Sequence, residues 1–180
     1  MAVAVVLAGL ARAAVHIYSI PSESMVPALE VGDQIVVTRY LQSRPERGDV
    51  IVFQSPVGAD ELLVKRVIGL PGDWIDSRLG RVRIGGFTLP EPYLDRAAAS
   101  GSIPSQFVPP DTYFVLGDNR ESSLDSRTWG VVPEELIVGR ARVVLWSTRH
   151  ALGDEARAEQ SDDLLRAPRP KQARVFKWID

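Results

Sequence analysis

Residues 62–70 read LLVKRVIGL and run straight into Pro71-Gly72. The run is rich in Leu, Val and Ile, short, and stopped by a strong turn signal, so it is expected to be a strand. Side chains alternate faces along a strand. Lys65 therefore shares a face with Leu63 and Val67, while Arg66 points the opposite way. Moving outward, residues 49–53 (DVIVF), launched by Arg47-Gly48, and residues 34–40 (QIVVTRY) have the same character. On the other side, residues 74–84 read as strand, turn at Leu79-Gly80, strand. Residues 112–116 (TYFVL) and 135–145 read as further strands. Short Val- and Ile-rich runs punctuated by Gly and Pro make the architecture mainly β. Residues 85–110 carry Pro, Gly and Ser with little periodicity and are expected to form an irregular excursion or small subdomain. Residues 153–174 are charged and Pro-containing, as an exposed linker is. Residues 175–179 (VFKWI) are apolar enough to dock as a closing strand or short helix.

The N-terminus is different. Residues 2–10 are small and aliphatic without interruption, Arg12 intervenes, and apolar residues continue to Ile20. A spanning helix needs about 20 mostly apolar residues, and Arg is tolerated near an end, where it snorkels to the headgroups. A membrane anchor lacking some upstream residues, a cleavable signal peptide and a buried soluble helix all compete. The basic leading region of a signal peptide is missing. A membrane anchor, or its remnant, is expected over residues 1–18.

Composition narrows the chemistry. A length of 180 residues suggests one domain with a small insertion. A net charge of −2, with basic residues dispersed among acids, gives no electrostatic reason to bind nucleic acid. The absence of cysteine excludes disulfides, thiol catalysis and Cys-ligated metals. The only histidines, His16 and His150, lie beside no plausible nucleophile, so an enzyme of this sequence needs another base. Nothing suggests a metal or a cofactor.

Three segments carry chemistry. In residues 20–29 (IPSESMVPAL), two prolines bracket Ser24 and fix the backbone around it. A serine attacks only when a base takes its proton and the backbone presents Oγ. Alone, the segment reads first as a Ser/Pro linker leaving a membrane. In residues 63–73, burial among aliphatic neighbours such as Leu63 and Val67 disfavours the charged form of Lys65, and such a lysine serves as a base near neutral pH. The bland alternative is a lysine snorkelling from a strand edge. The third segment, residues 117–130 (GDNRESSLDSRTWG), is polar and Gly-bounded. Asp125 and Arg127 can brace it as an ion pair, and Ser123 can orient a neutral amine. A packed surface turn is the plain reading. Asp118 and Asp125 as a glycosidase pair lack accompanying sugar-stacking aromatics.

Taken together, PSESMVPAL, RGDVIVF, KRVIGLPGDWI and GDNRESSLDSRTWG, in this order after an apolar N-terminus, resemble the sequence boxes of type I signal peptidases, Ser/Lys proteases that remove signal peptides from exported proteins. The resemblance spans residues 15–145. It implies a signal-peptidase-type β fold of coiled antiparallel sheets with a small inserted subdomain and an N-terminal apolar helix. It implies Ser24 as nucleophile, Lys65 as general base, and an oxyanion hole made of the Ser24 N–H and the Ser22 hydroxyl. Ser123 would hold the Lys65 amine, and Asp125 and Arg127 would support that loop. Tyr18, Ile20, Met25, Leu29, Leu63 and Val64 would line the substrate pocket, admitting small side chains as in Ala-X-Ala. The substrate would bind as an extended strand beside the Lys65 strand. The lipid bilayer is the other implied partner: a monomer, single-pass, with its catalytic domain on the outer face of the bacterial cytoplasmic membrane. Glu23 stands where the family often has Gly, and Ala28 replaces a frequent Thr.

The expected layout is an anchor (1–18), a catalytic β domain in two parts (19–75 and 112–149), an inserted subdomain (76–111), and a charged linker with closing segment (150–180). Rival readings are a self-cleaving Ser/Lys peptidase of the repressor type, a specialised peptidase for one conjugation or pilus protein, and a non-catalytic membrane-tethered peptide-binding β domain. The first lacks its DNA-binding helical domain here.

Overall fold

The computed structural model describes residues 15–58, 60–94, 100–147 and 177–179. The chain is built on two antiparallel sheets. The larger has eight strands in the order β1 (Val15–Ser19), β2 (Asp33–Thr38), β11 (Ile137–Ser147), β3 (Val50–Gln54), β4 (Leu62–Gly69), β9 (Thr112–Leu116) and β10 (Val132–Pro133), with β12 (Lys177–Trp178) paired to β11. The smaller sheet runs β7 (Phe87–Thr88), β6 (Arg81–Ile84), β5 (Trp74–Arg78) and β8 (Gln106–Phe107). The one α-helix among the described residues, α1 (Ser126–Trp129), is short and follows Asp125, whose carboxylate caps it by accepting from Arg127 N.

The large sheet is buried on both faces near its centre. Along β3, Val50 and Val52 enter one core with Ile20, Met25, Leu29, Ile35 and Val37. Ile51 and Phe53 enter another, with Val67, Tyr113 and Val115. This is period-2 alternation in a strand covered on both sides, which is why DVIVF has no polar face. A third core joins the sheets: Ile68, Phe114 and Leu116 pack on Ile75, Val82, Ile103 and Val108. The β5–β6 hairpin turns at Leu79 and Gly80, with φ of 52° and 73°. That is the pair of positive φ values a two-residue type I′ turn requires.

The mainly β expectation and the Leu79-Gly80 turn agree with this architecture. Two of the expected boundaries fall inside strands. Residues 15–18, assigned to the anchor, belong to β1, because Val15 and Ile17 alternate with His16 and Tyr18, whose neighbours on β2 are core residues. The small sheet takes in all of β5 from Trp74, two residues before the expected start of the insertion. Within residues 85–110, β7 and β8 are two-residue strands, too short to give a periodic signal. The expected N-terminal apolar helix and nearly all of the 150–180 segment lie outside the described residues. Among the described residues no helix is long and apolar enough to cross a membrane.

Candidate active site

Lys65 sits in mid-β4, opposite Ile51 of β3, on the face it shares with Leu63 and Val67. All three neighbours are apolar, and Lys65 is only 4% exposed. Its Nζ lies 2.7 Å from Ser24 Oγ, 41 residues earlier in the chain. Ser22 Oγ is 3.2 Å from the same Ser24 oxygen. Burial lowers the Lys65 pKa to about 8, against the opposing pull of Asp125, Glu61 and Asp118, while Arg127 assists.

Ser24 lies in a turn between β1 and β2. Val26 N donates to Glu23 O (3.1 Å) and Leu29 N to Met25 O (2.9 Å), so the turn is internally bonded. Met25 and Leu29 anchor it in the core. Asn119 clamps it from outside: its N–H donates to Ser24 O (3.0 Å) and its Nδ2 to Glu23 O (3.2 Å). Gly117 makes this approach feasible. A Cβ there would stand 2.2 Å from Ser123 Oγ and 2.5 Å from Ser24 O.

The 117–127 loop is held by charge. Arg127 grips Asp125 with two bonds of 2.7 Å, so the ion pair read from the sequence is formed. The second Asp125 oxygen also accepts from Gly117 N at 3.1 Å. Asp118 receives Arg66 Nε and Nη2 at 2.9 and 2.8 Å, on the face of β4 opposite Lys65.

Two sequence expectations meet a different arrangement. Ser123 is brought to the site but not to the amine; its hydroxyl donates to Leu124 O at 3.5 Å while its side chain packs on Gly117. Of the expected pocket residues, Ile20, Met25 and Leu29 are core, with 3%, 1% and 0% exposure. There their apolarity anchors the serine turn in the core. Tyr18, Leu63 and Val64 retain partial exposure beside that core. Sequence reading missed Gly117 as a contact point, Asn119 as a clamp and Asp118 as the partner of Arg66. Only the last had a legible signal: an arginine facing inward from a central strand needs a buried acid. Among the described residues no group of three His, Asp or Glu side chains is placed to hold a metal.

A hydroxyl bonded to a buried, easily neutralised amine is the arrangement that a serine nucleophile with a lysine base requires. The family model for signal peptidase, peptidase S26, matches residues 1–146. The chain belongs to this family. It is 45% identical over 136 residues to signal peptidase I of Leptolyngbya laminosa, covering 71% of this chain and 66% of the relative. It is 39% identical over 170 residues to the Synechocystis protein named Probable signal peptidase I-2, covering 88% and 77% of the two chains. A crystal structure of a signal peptidase I from Enterococcus faecalis matches 54% of this chain and 97% of its own at 33% identity, with a TM-score of 0.47. The family that the sequence matches identify is that of the signal peptidases.

Proposed function

We propose that the chain cleaves signal peptides from exported preproteins by an acyl-enzyme route, with Ser24 as nucleophile and Lys65 as its base. The observation that carries the reading is the 2.7 Å contact between Lys65 Nζ and Ser24 Oγ at a lysine almost without solvent. The neutral amine accepts the hydroxyl proton as Oγ bonds to the scissile carbonyl carbon, whose oxygen takes the negative charge. Collapse of that adduct breaks the C–N bond, and the ammonium hands its proton to the leaving amine. Water then attacks the ester, Lys65 takes the water proton, and the proton returns to Ser24 as the acid leaves. Among the described residues nothing accepts the Ser24 N–H, which leaves it available, with the Ser22 hydroxyl, to the oxyanion. Glu23 is exposed beside them, and its backbone oxygen is the part fixed by Asn119.

The substrate is an extended segment with small residues in the Ala-X-Ala pattern, lying beside β4 by strand addition. The partly exposed Tyr18, Leu63 and Val64 are the surfaces left for its side chains. Ser24→Ala and Lys65→Met are expected to lower preprotein cleavage by about 10²–10⁴-fold or more. The wild-type rate is expected to rise through an alkaline limb near pH 8, because the charged amine present below that value has no room for another proton. Wild-type cleavage by both variants, or a rate flat from acid to alkali, would sink the dyad.

The domain sits against a bilayer on the outer face of a cytoplasmic membrane, single-pass, with the apolar N-terminal segment leading into β1. One face of the large sheet supports this. Ile17, Val36, Val143 and Trp178 are consecutive cross-strand partners over β1, β2, β11 and β12. Val15 and Trp146 are also exposed, at 43% and 50%. Brominated lipid is expected to quench tryptophan fluorescence in wild type, and less in Trp178→Ala. Equal quenching of the two would remove this face from the interface.

A further inference from the structure

The active-site loop is braced from the inserted sheet by side chains outside the Ser24–Lys65 site. Ser100 N donates to Gly80 O in the β5–β6 turn (2.8 Å), and Ser77 Oγ receives Ile103 N (2.7 Å) and donates to Gly101 O (2.9 Å). The segment starting at Ser100 is thus part of the small sheet's framework. From it and from Glu91, contacts cross to the catalytic loop. Arg120 pairs with Glu91 through both terminal nitrogens and also donates to Ser100 Oγ. Its Nε donates to Gly117 O at 3.0 Å. Arg127 Nη1 donates to Arg120 O (2.7 Å) and Ser100 O (3.2 Å). The Arg120 and Glu91 side chains are 0% and 9% exposed, so each charge depends on the other.

The same arm reaches β4 from behind. Tyr93 OH donates to Glu91 Oε1 at 2.9 Å, and the Tyr93 ring lies 4.0 Å beneath the Arg66 guanidinium. Burial and the Glu91 carboxylate push the Tyr93 phenol up, which keeps it a neutral donor. Arg66 is the next residue after Lys65 and holds Asp118, the next residue after Gly117. Glu91 therefore ties together the strand that carries Lys65 and the loop that carries Gly117, on which Ser24 rests.

We propose that Glu91, through Arg120 and Tyr93, is a positioning residue for the reaction: the inserted sheet acts as a brace that sets the Ser24–Lys65 geometry from outside the catalytic sheet. This rests on the Ser/Lys reading above. A shift on the order of 1 Å at reacting atoms costs up to about 10²-fold in rate. The charged groups acting on the Lys65 amine are Asp125, Glu61, Asp118 and Arg127. Three of these, Asp118, Asp125 and Arg127, lie on the braced loop, so loosening it changes both the geometry and the ionisation of the base.

The test uses the full chain and a signal-peptide substrate, comparing kcat, KM and the alkaline limb for wild type, Glu91→Gln, Glu91→Asp, Ser100→Ala and Arg83→Gln. Glu91→Gln is expected to lower kcat by roughly 10–10²-fold with KM within about twofold, and to move the limb upward as water reaches the amine. Glu91→Asp should recover most of the loss, and Ser100→Ala should lower kcat by roughly 3–10-fold. Arg83→Gln opens an ion pair with Asp76 on the outer face of the same sheet and should match wild type. If Glu91→Gln does not fold, Ser100→Ala decides. Reduced thermal stability with wild-type kcat and an unmoved limb would overturn the proposal. Ser24→Ala separates the two levels: if it is inactive while Glu91→Gln is fully active, only the brace fails.

Discussion

Lys65 and Arg66 are consecutive cations on one strand, both buried, at 4% and 1% exposure, yet their electrostatic situations are opposite. Arg66 is met by both oxygens of Asp118, by Gly48 O at 2.8 Å and by the Tyr93 ring. Lys65 has one hydrogen bond, to a neutral hydroxyl, and no ion pair among the described residues. A buried guanidinium, too basic to shed its proton, needs partners of this kind, whereas an ammonium offered only an alcohol is pushed toward neutrality. Strand alternation puts these outcomes back to back, so one face of β4 holds the scaffold together and the other does chemistry.

The largest effect expected from breaking this arrangement is on the compensated side. Arg66→Met leaves Asp118, 2% exposed, as an unpaired buried charge. Removing one partner of such a pair costs about 3–5 kcal/mol, a large part of a domain's stability. The urea midpoint should fall accordingly. A midpoint equal to that of wild type would mean that Arg66 is not the compensated member of the pair.

The opposite sign is expected at Lys65. Its folded pKa is lowered from 10.5 to about 8, so between those values the unfolded chain binds more protons than the folded one. Stability should therefore rise with pH from about 8 to about 10.5, by roughly 3 kcal/mol at most. Lys65→Met removes that penalty. The variant should be more stable than wild type at pH 7 while inactive, with the gap closing by about pH 10.5. Urea melts at three pH values check this, and a variant less stable than wild type at neutral pH contradicts it.

How much of this was legible follows from the range of each interaction. The two faces of β4 are a local property, and alternation places Lys65 and Arg66 on them without any tertiary knowledge. The β5–β6 hairpin was equally local, because Leu79-Gly80 sits between two matched runs. That Ser24 lies against Lys65 came only through resemblance; 41 residues separate them and no periodicity links them. Pairings such as Glu91 with Arg120 and Arg66 with Asp118 depend on which loops meet, and every candidate acid looks alike in sequence. The role of Met25 and Leu29 was not legible, because an apolar residue beside a nucleophile is compatible with lining a groove or with anchoring the turn. Only burial distinguishes those cases.

The smallest of these effects is expected at Gly117, and it is the one that joins the two faces. Gly117 N donates to Asp125, which acts on the Lys65 amine, and Gly117 O accepts from Arg120, which belongs to the braced side. Its φ is not in the left-handed region, so the requirement for glycine is one of space. Gly117→Ala would force a methyl group against Ser123 Oγ at 2.2 Å and Ser24 O at 2.5 Å. The Ser123 hydroxyl can rotate away, but Ser123 Cβ at 2.5 Å cannot, and the Ser24 carbonyl is backbone and is also held by Asn119. Overpacking of this kind costs about 1–3 kcal/mol. The strain falls on the nucleophile turn, so kcat should drop by roughly tenfold with a smaller proportional loss of stability than Arg66→Met gives. A folded Gly117→Ala enzyme with wild-type kcat would mean that the two faces of β4 are not coupled through this contact, and that the scaffold side supports the fold without setting the geometry of the reaction.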